Sequence, residues 1–125
     1  MTIYVTHSRA FDFQKELYLP IRESDLNTEH TIILPHELSQ HSYSSLEMFK
    51  TRKFDLILAE VSYPSTGQGI ELGWANAFDI PIVAVYQENQ AYSASIKTVT
   101  EHFLSYKKEN IADLFPLLSE IMKTL

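Results

Sequence analysis

The chain has 125 residues, with ten Lys and Arg against sixteen Asp and Glu, so its formal net charge is −6 at pH 7 and its length fits one domain over residues 1–125. A hydrophobic content of 45% disfavours disorder, and the acidic balance argues against nucleic-acid and membrane-surface partners, which need clustered cations. The absence of cysteine excludes disulfides, thiolate metal sites and a cysteine nucleophile. The longest apolar run, residues 80–86, is too short to cross a bilayer and the N-terminus lacks a signal-peptide pattern, so a cytoplasmic location is expected.

Strand and helix patterns alternate along the chain. Five apolar or β-branched segments predict strands: residues 2–6, 30–34, 54–61, 81–86 and 99–106. Helical spacing of apolar residues predicts four helices: residues 12–24, a short one near 46–49, one after the glycines and one from residue 110. Pro20 should kink or break the first helix. The alternation predicts an α/β fold, a doubly wound, flavodoxin-like or Rossmann-like parallel sheet of about five strands with helices on both faces.

The glycines are concentrated in one place. The chain has only three, Gly67, Gly69 and Gly73, and all lie in a seven-residue window between the third predicted strand and the helix that follows. Glycine is required there either for positive φ or for the close approach of a ligand to the backbone, although a tight turn without a ligand is the alternative. Ligands in open parallel sheets bind at the carboxyl ends of strands, which favours a ligand site.

The glycine window matches no standard nucleotide-binding motif. Its spacing is G-x-G-x-x-x-G after the third strand, whereas the dinucleotide fingerprint is G-x-G-x-x-G after the first. A Walker-type loop needs a Lys that the window lacks, and residues 6–8 are a poor match to a flavodoxin phosphate loop. The hydroxyls and backbone N–H groups before Gly67 can still hold an anion at a helix N-terminus.

Glu71 is predicted in the first turn of the helix after this window. One explanation is structural, because a carboxylate there is stabilised by the helix dipole. The other is chemical, because an ionised carboxylate at a ligand-binding sheet edge is suited to attack an electrophilic carbon, as in retaining glycosidases.

Residues 55–75 combine an Asp-apolar-Ala-Glu strand, Pro-Ser-x-Gly-x-Gly and Glu-Leu-Gly-x-Ala. This combination resembles the signature of the nucleoside 2-deoxyribosyltransferase family. Within that family, it is similar to the branch of small 2′-deoxynucleoside 5′-monophosphate N-glycosidases. The close match covers residues 55–86, and the other elements agree in order and length.

The resemblance implies roles for individual residues. Glu71 would be the nucleophile that attacks C1′ of the deoxyribose, expels the base and forms a glycosyl-enzyme. Ser65 would bind the 5′-phosphate and favour a nucleotide, since this position is typically acidic in the nucleoside transferases. The remaining substrate-binding positions would be Gly67, Gly69, Tyr4 and Ser8.

The resemblance also implies a homodimer, because a serine of the neighbouring subunit completes the phosphate site in that branch. Ser93 or Ser95 would take this role. The family usually has an acid/base Asp in the helix before the signature strand. Eight residues before Asp55 this chain has Glu47, which would either do the same proton chemistry from a shifted backbone or be a surface residue. The first loop is not glycine-rich as in the family, and its Arg9 would either supply a cation for the phosphate or be solvated.

The leading hypothesis is an enzyme that cleaves or transfers at the N-glycosidic bond of a 2′-deoxynucleotide or nucleoside. Glu71 would be its nucleophile and Glu47 its acid/base, with no metal and no organic cofactor. The five histidines, including His41, show no metal-ligand spacing. The rival hypotheses are a non-catalytic nucleotide-binding or sensing domain of the same fold and a purely structural α/β domain.

Overall fold

The computed structural model describes residues 1–38 and 44–125. Its centre is one parallel sheet of five strands. Its strands are β1 (Thr2–His7), β2 (Thr31–Ile33), β3 (Leu56–Glu60), β4 (Ile82–Gln87) and β5 (His102–Tyr106). They lie in the order β2-β1-β3-β4-β5, and every neighbouring pair is parallel. This order is that of flavodoxin-like doubly wound proteins, so the predicted fold class is confirmed.

The described part of the chain has five α-helices: α1 (Leu19–Arg22), α2 (Asp25–Glu29), α3 (Leu46–Lys50), α4 (Thr66–Ala77) and α5 (Phe115–Met122), of which the first four lie between strands and α5 follows β5. Short 3₁₀ turns at Ala94–Thr98 and Ile111–Leu114 precede β5 and α5. The first predicted helix begins instead as a π-helical turn, Gln14–Tyr18, which runs into α1. Pro20 lies in the first turn of α1 and has no N–H to donate to the preceding turn, which accounts for the irregularity.

Helices cover both faces of the sheet, and each face has its own apolar core. One core joins alternate residues of β1, β3 and β4 to the α1 and α5 side, and includes Ile3, Val5, Leu58, Leu17, Ile21 and Leu118. The other joins the opposite residues of the same strands to α3 and α4, and includes Tyr4, Ile57, Ala59, Phe49, Leu72 and Ala75. The period of two along each strand thus assigns successive side chains to different cores.

The glycine window lies inside a helix and not in a turn. Ser65 is the N-cap of α4, and its Oγ accepts a hydrogen bond from the backbone N–H of Gln68 at 3.3 Å, so the helix begins before the glycines. No glycine has positive φ, so the first of the two reasons considered for glycine at these positions does not apply. A Cβ placed on any of the three would meet no atom within 4 Å. Glu71 accordingly lies in the second turn of α4, beyond the first-turn position that was expected.

Candidate active site

The carboxylate of Glu71 lies where the sheet changes its direction of winding, between β1 and β3. The chain leaves β1 toward one edge of the sheet and leaves β3 toward the other, which opens the crevice where ligands bind in doubly wound folds. Three hydroxyl groups hold the carboxylate. Oε2 accepts hydrogen bonds from Tyr4 Oη at 2.5 Å and Ser45 Oγ at 2.6 Å, and Oε1 accepts one from Thr6 Oγ1 at 2.8 Å.

The local structure fixes each of these donors. Tyr4 and Thr6 are two residues apart on β1, so they project to the same face of the sheet. The Tyr4 ring is buried, with Phe54 stacked at 4.5 Å and Phe49 edge-on at 5.8 Å between ring centroids. Ser45 is buried at the start of α3. The donors therefore come from two elements, and their geometry depends on the packing of α3 against α4.

Glu71 opens onto a cavity of about 380 Å³, a size within the range of small-ligand sites. Tyr4, Ser45, Ser65 and Gly67 also line it. The remaining lining residues are His7, Arg9, His36, Ser44, Leu46, Gln68, Ile70 and Trp74. The cavity thus combines a carboxylate, an arginine and several aromatic rings, which suits a ligand with a planar group and an anionic group.

His7 lies in this wall as a neutral ring. Burial lowers the pKa of His7 to about 4, and the hydrogen bond to the Ser8 carbonyl only partly opposes that effect. Because a carbonyl can only accept, His7 Nδ1–H donates to it at 2.8 Å, and Nε2 accepts from the Tyr18 hydroxyl at 2.7 Å. Tyr18 Oη in turn accepts from the His36 backbone N–H at 3.1 Å. This chain of hydrogen bonds ties the first loop to the segment after β2.

A second cavity, of about 320 Å³, lies on the other side of the start of α4. Ser65 and Gln68 line both cavities, while Gly69 and Ser93 line only the second. The buried Gln68 amide donates to the carbonyls of Thr6 at 3.1 Å and Glu60 at 2.8 Å. One side chain thus fixes the first turn of α4 across the ends of β1 and β3.

The loop that carries Ser65 is anchored by a buried carboxylate, Glu60. Its Oε1 accepts from the Ser62 backbone N–H at 2.7 Å, and its Oε2 accepts from Ser62 Oγ at 2.9 Å and from the Tyr106 hydroxyl. Ser62 Oγ accepts from the Gln87 backbone N–H at 2.8 Å. Burial raises the pKa of Glu60 above its ordinary range, and these donors oppose that effect. Glu60, which belongs to the Asp-apolar-Ala-Glu motif, therefore stabilises the loop that carries Ser65.

Several of the residues named from the sequence meet around Glu71. Tyr4 donates to its carboxylate, and Ser65 and Gly67 line the same cavity. Gly69 and Ser93 lie on the second cavity. Ser8 lies in the wall of neither cavity; it is buried, and its Oγ accepts from the Ala10 N–H at 3.0 Å. Ser8 therefore shapes the loop after β1.

Glu47 also lies away from both cavities. It is exposed on α3, and its backbone carbonyl accepts from Thr51 Oγ1 at 2.8 Å. Its neighbours Ser45 and Leu46 line the first cavity, so the start of α3 is part of the site although the Glu47 carboxyl is not in its wall. The acid/base role of Glu47 stays a prediction.

Sequence reasoning did not identify three residues that build the site: Thr6, Ser45 and Gln68. The alternation along β1 was a usable signal for Thr6, which shares a face with Tyr4. No local pattern indicates Ser45 or Gln68, because both reach their partners through tertiary packing. Among the described residues, no group of three or more His, Asp or Glu has metal-binding geometry, and His41 lies outside them. In the same part of the chain, no helix is long and apolar enough to cross a membrane.

Comparison with known proteins finds similarity in sequence to a curated protein and similarity in fold to a solved structure. No protein-family model matches it. It is 33% identical over 72 residues to a curated protein of Syntrophotalea carbinolica that is provisionally named 2′-deoxynucleoside 5′-phosphate N-hydrolase 1. This match covers 57% of the chain and 51% of that protein, so the chain spans about half the length of this relative. It confirms the resemblance that the sequence motif indicates.

A solved structure shares the fold. The CMP N-glycosidase of Clostridium botulinum superposes with a TM-score of 0.63 at 23% sequence identity. The superposition covers 94% of this chain and 98% of that one. The described part of the chain therefore shares the fold of that protein over nearly all of its length.

Proposed function

We propose that this protein is an N-glycosidase-type enzyme that cleaves the bond between sugar and base in a nucleotide. The observation that carries the proposal is the Glu71 carboxylate, held by three hydroxyl groups in the wall of a cavity at the β1/β3 crevice. A carboxylate fixed in this way is suited to attack the anomeric carbon of a sugar. The names of the two similar proteins support the same class of reaction.

In the proposed reaction, a Glu71 oxygen forms a bond to C1′ while the bond from C1′ to the base nitrogen breaks. The electron pair leaves with the base, which takes a proton from an acid. Water, or a second base in a transfer reaction, then attacks C1′ and releases Glu71. Glu47 is our candidate acid/base, and the role requires its exposed side chain to turn toward the cavity that Ser45 and Leu46 line.

Ser65 and the first turn of α4 are the proposed site for the 5′-phosphate. The N-terminus of a helix attracts anions, and the open space beside Gly67 and Gly69 permits close approach to the backbone. Arg9 lines the same cavity as Glu71 and can contribute positive charge. These features favour a 2′-deoxynucleoside 5′-monophosphate over an unphosphorylated nucleoside.

The homodimer implied by the family resemblance is also part of the proposal. In that arrangement, Ser93 or Ser95 serves the phosphate site of the neighbouring subunit. Both serines also line the second cavity of their own chain beside Ser65, which gives them an alternative role within one subunit.

The decisive assay is chromatographic detection of free base. Each deoxynucleoside, deoxynucleoside 5′-monophosphate and ribonucleoside 5′-monophosphate is incubated with the wild-type chain, Glu71→Ala or Glu71→Gln, with and without an acceptor base. We expect base release from monophosphates by the wild-type chain only. Acceptor dependence separates transfer from hydrolysis.

A nucleotide sensor is the second candidate, and the exposed position of Glu47 favours it. Nucleotide binding by the wild-type chain with no base release from any substrate would reject the enzyme and support the sensor. Calorimetric titration with the same monophosphates measures that binding.

A further inference from the structure

We propose that Ser45 and Thr6 are positioning residues that assign different tasks to the two oxygens of Glu71, an inference that rests on the proposed function. Oε1 is the oxygen that attacks C1′. Oε2 is held by Ser45 and Tyr4 and becomes the carbonyl oxygen of the glycosyl-enzyme. Thr6 assists the return of the electron pair to Oε1 when that intermediate breaks down.

The distribution of donors supports this assignment. Each carboxylate oxygen has two lone pairs in the plane of the group. Oε2 accepts from both Tyr4 and Ser45, so both of its lone pairs are occupied. Oε1 accepts only the Thr6 hydroxyl among the described residues, and one of its lone pairs remains for a bond to carbon.

The hydroxyl of Ser45 is not needed by the helix that it begins. Ser45 is the N-cap of α3, yet its side chain makes no capping hydrogen bond. The residue is 3% exposed, and its Oγ donates to Glu71 Oε2 at 2.6 Å. The hydrogen bond to Glu71 therefore explains a serine at this position better than the stability of α3 does.

Thr6 donates to Glu71 through its hydroxyl, and its backbone is fixed by a second hydrogen bond. Its backbone carbonyl accepts the Gln68 amide, and Gln68 lies three residues before Glu71 on α4. Two hydrogen bonds thus join Thr6 to α4, one from its hydroxyl to Glu71 and one from the Gln68 amide to its carbonyl. This arrangement keeps the Thr6 hydroxyl at Oε1 while the sugar is attached and released.

The two steps differ in what they demand of Oε1. In the first, Oε1 gives an electron pair to C1′, the base leaves with the pair of its own bond, and a general acid protonates the base. In the second, the oxygen of water attacks C1′ and gives its proton to the conjugate base of that acid, and the C1′–Oε1 pair returns to Oε1. A hydrogen bond from Thr6 stabilises the charge that reappears on Oε1. Its loss therefore slows the second step more than the first.

Steady-state kinetics separates these roles. The substrate is the monophosphate that the wild-type chain cleaves fastest, and the variants are Ser45→Ala, Thr6→Val and the hydroxyl-keeping Ser45→Thr and Thr6→Ser. Hydrogen bonds to charged groups predict losses of about tenfold to a hundredfold. We expect Ser45→Ala to lower kcat/KM by that factor with KM changed less than about twofold.

The expected behaviour of Thr6→Val is different. Its kcat falls by the same order while KM falls in parallel, so that kcat/KM is nearly unchanged, because kcat/KM reports the first irreversible step only. Mass spectrometry after rapid acid quench should find more chain carrying the sugar phosphate than in the wild type. Ser45→Thr and Thr6→Ser should retain most activity, and Ser105→Ala and Thr31→Val control for loss of a hydroxyl elsewhere.

The outcomes separate this inference from the proposed function. Two outcomes overturn this inference alone, provided that the wild-type chain turns over. In one, Ser45→Ala and Thr6→Val change kcat and KM in the same way. In the other, Ser45→Thr and Thr6→Ser lose as much activity as the variants without the hydroxyl. No base release by the wild-type chain refutes the proposed function and this inference with it. If Ser45→Ala does not fold by circular dichroism, Ser45→Gly replaces it, since glycine is accepted at a helix N-cap.

Discussion

Ser65 combines a structural contact with a proposed contact to substrate. Its Oγ caps α4, and the residue lines both cavities. Ser65→Asp keeps a good N-cap but adds negative charge beside the proposed phosphate site. We expect kcat/KM for the monophosphate to fall about tenfold to a hundredfold while that for the nucleoside does not fall. Ser65→Thr is the control, and equal losses for both substrates would contradict a phosphate contact.

His7 predicts a defined dependence of stability on pH. Its pKa is lowered to about 4 in the folded chain, whereas an unfolded histidine titrates near 6.5. Between these values the unfolded chain binds more protons, so the free energy of unfolding rises with pH. The contribution is fully present above about 6.5 and is lost as the pH falls through 4, and it amounts to roughly 3 kcal/mol.

Urea denaturation of the wild type and His7→Gln at a series of pH values tests this dependence. Their difference in unfolding free energy should grow from pH 4 to 6.5 and then level off, since all other titrating groups are common to both. Parallel curves would show that the buried ring does not titrate in this way.

The site residues were predicted unevenly from the sequence. Glu71, Ser65 and Tyr4 were identified through the family resemblance, and the structure brings all three to one cavity. The same resemblance named Glu47, whose side chain is exposed, because a motif fixes position along a helix but not the direction in which a longer side chain extends. Ser45 could not be predicted from a local sequence pattern, since it and Glu71 are 26 residues apart in the sequence.

At the level of elements, the turn after β5 contains an unfavourable backbone conformation. The Asn110 N–H donates to the Lys107 carbonyl at 2.9 Å, and Glu109, the third residue of this turn, has φ of 68°. A non-glycine residue in this region is strained. Glu109→Gly should therefore raise the free energy of unfolding by about 0.5–1 kcal/mol, after allowance for the greater freedom of glycine in the unfolded chain.

Chemical denaturation measures this change, and Lys108→Gly provides the control within the same turn. Lys108 does not have positive φ, so glycine there should leave stability unchanged or lower it. A loss of stability in Glu109→Gly would show that the Glu109 side chain contributes more than the strain costs.

The elements themselves could be predicted where apolar periodicity was strong. The three central strands β1, β3 and β4 were found because residues buried on both faces form apolar runs. The edge strands β2 and β5 are only partly buried, and they were found from their apolar and β-branched residues. Helix α2 was missed, since Leu26 is its one buried residue and gives no periodic pattern. The glycines were expected in a turn because glycine usually marks one, whereas the Ser65 cap starts the helix ahead of them. Glycine does not mark the ends of α3 and α4 either. The residues with positive φ just after these two helices are Arg52 and Asp79.

The whole molecule raises the question of whether a site is completed by one chain or two. Ser93 lines a cavity with Ser65 of its own chain, whereas the proposed homodimer places it at the phosphate site of the neighbouring subunit. If each chain used its own serine, a mixture of Glu71→Ala and Ser93→Ala chains would show no more activity than the sum of the two alone. Sedimentation of the wild type and the mixture establishes the oligomeric state.

The proposed homodimer predicts that activity rises on mixing. A mixed dimer would contain one site with both wild-type residues only if Ser93 acts on the neighbouring subunit. Activity that rises on mixing would therefore establish the shared arrangement that the family resemblance implies. Monomers by sedimentation would remove the homodimer from the proposal.

The three hydroxyl groups around Glu71 have a consequence for the influence of ionic strength. Neutral donors at 2.5–2.8 Å hold their acceptor through contacts too short for dissolved ions to screen. A nucleophile paired with an exposed lysine or arginine would instead lose part of its orientation in concentrated salt. For the proposed enzyme, we expect dissolved salt to weaken the attraction between an anionic substrate and the cavity, while the arrangement of the Glu71 carboxylate stays the same.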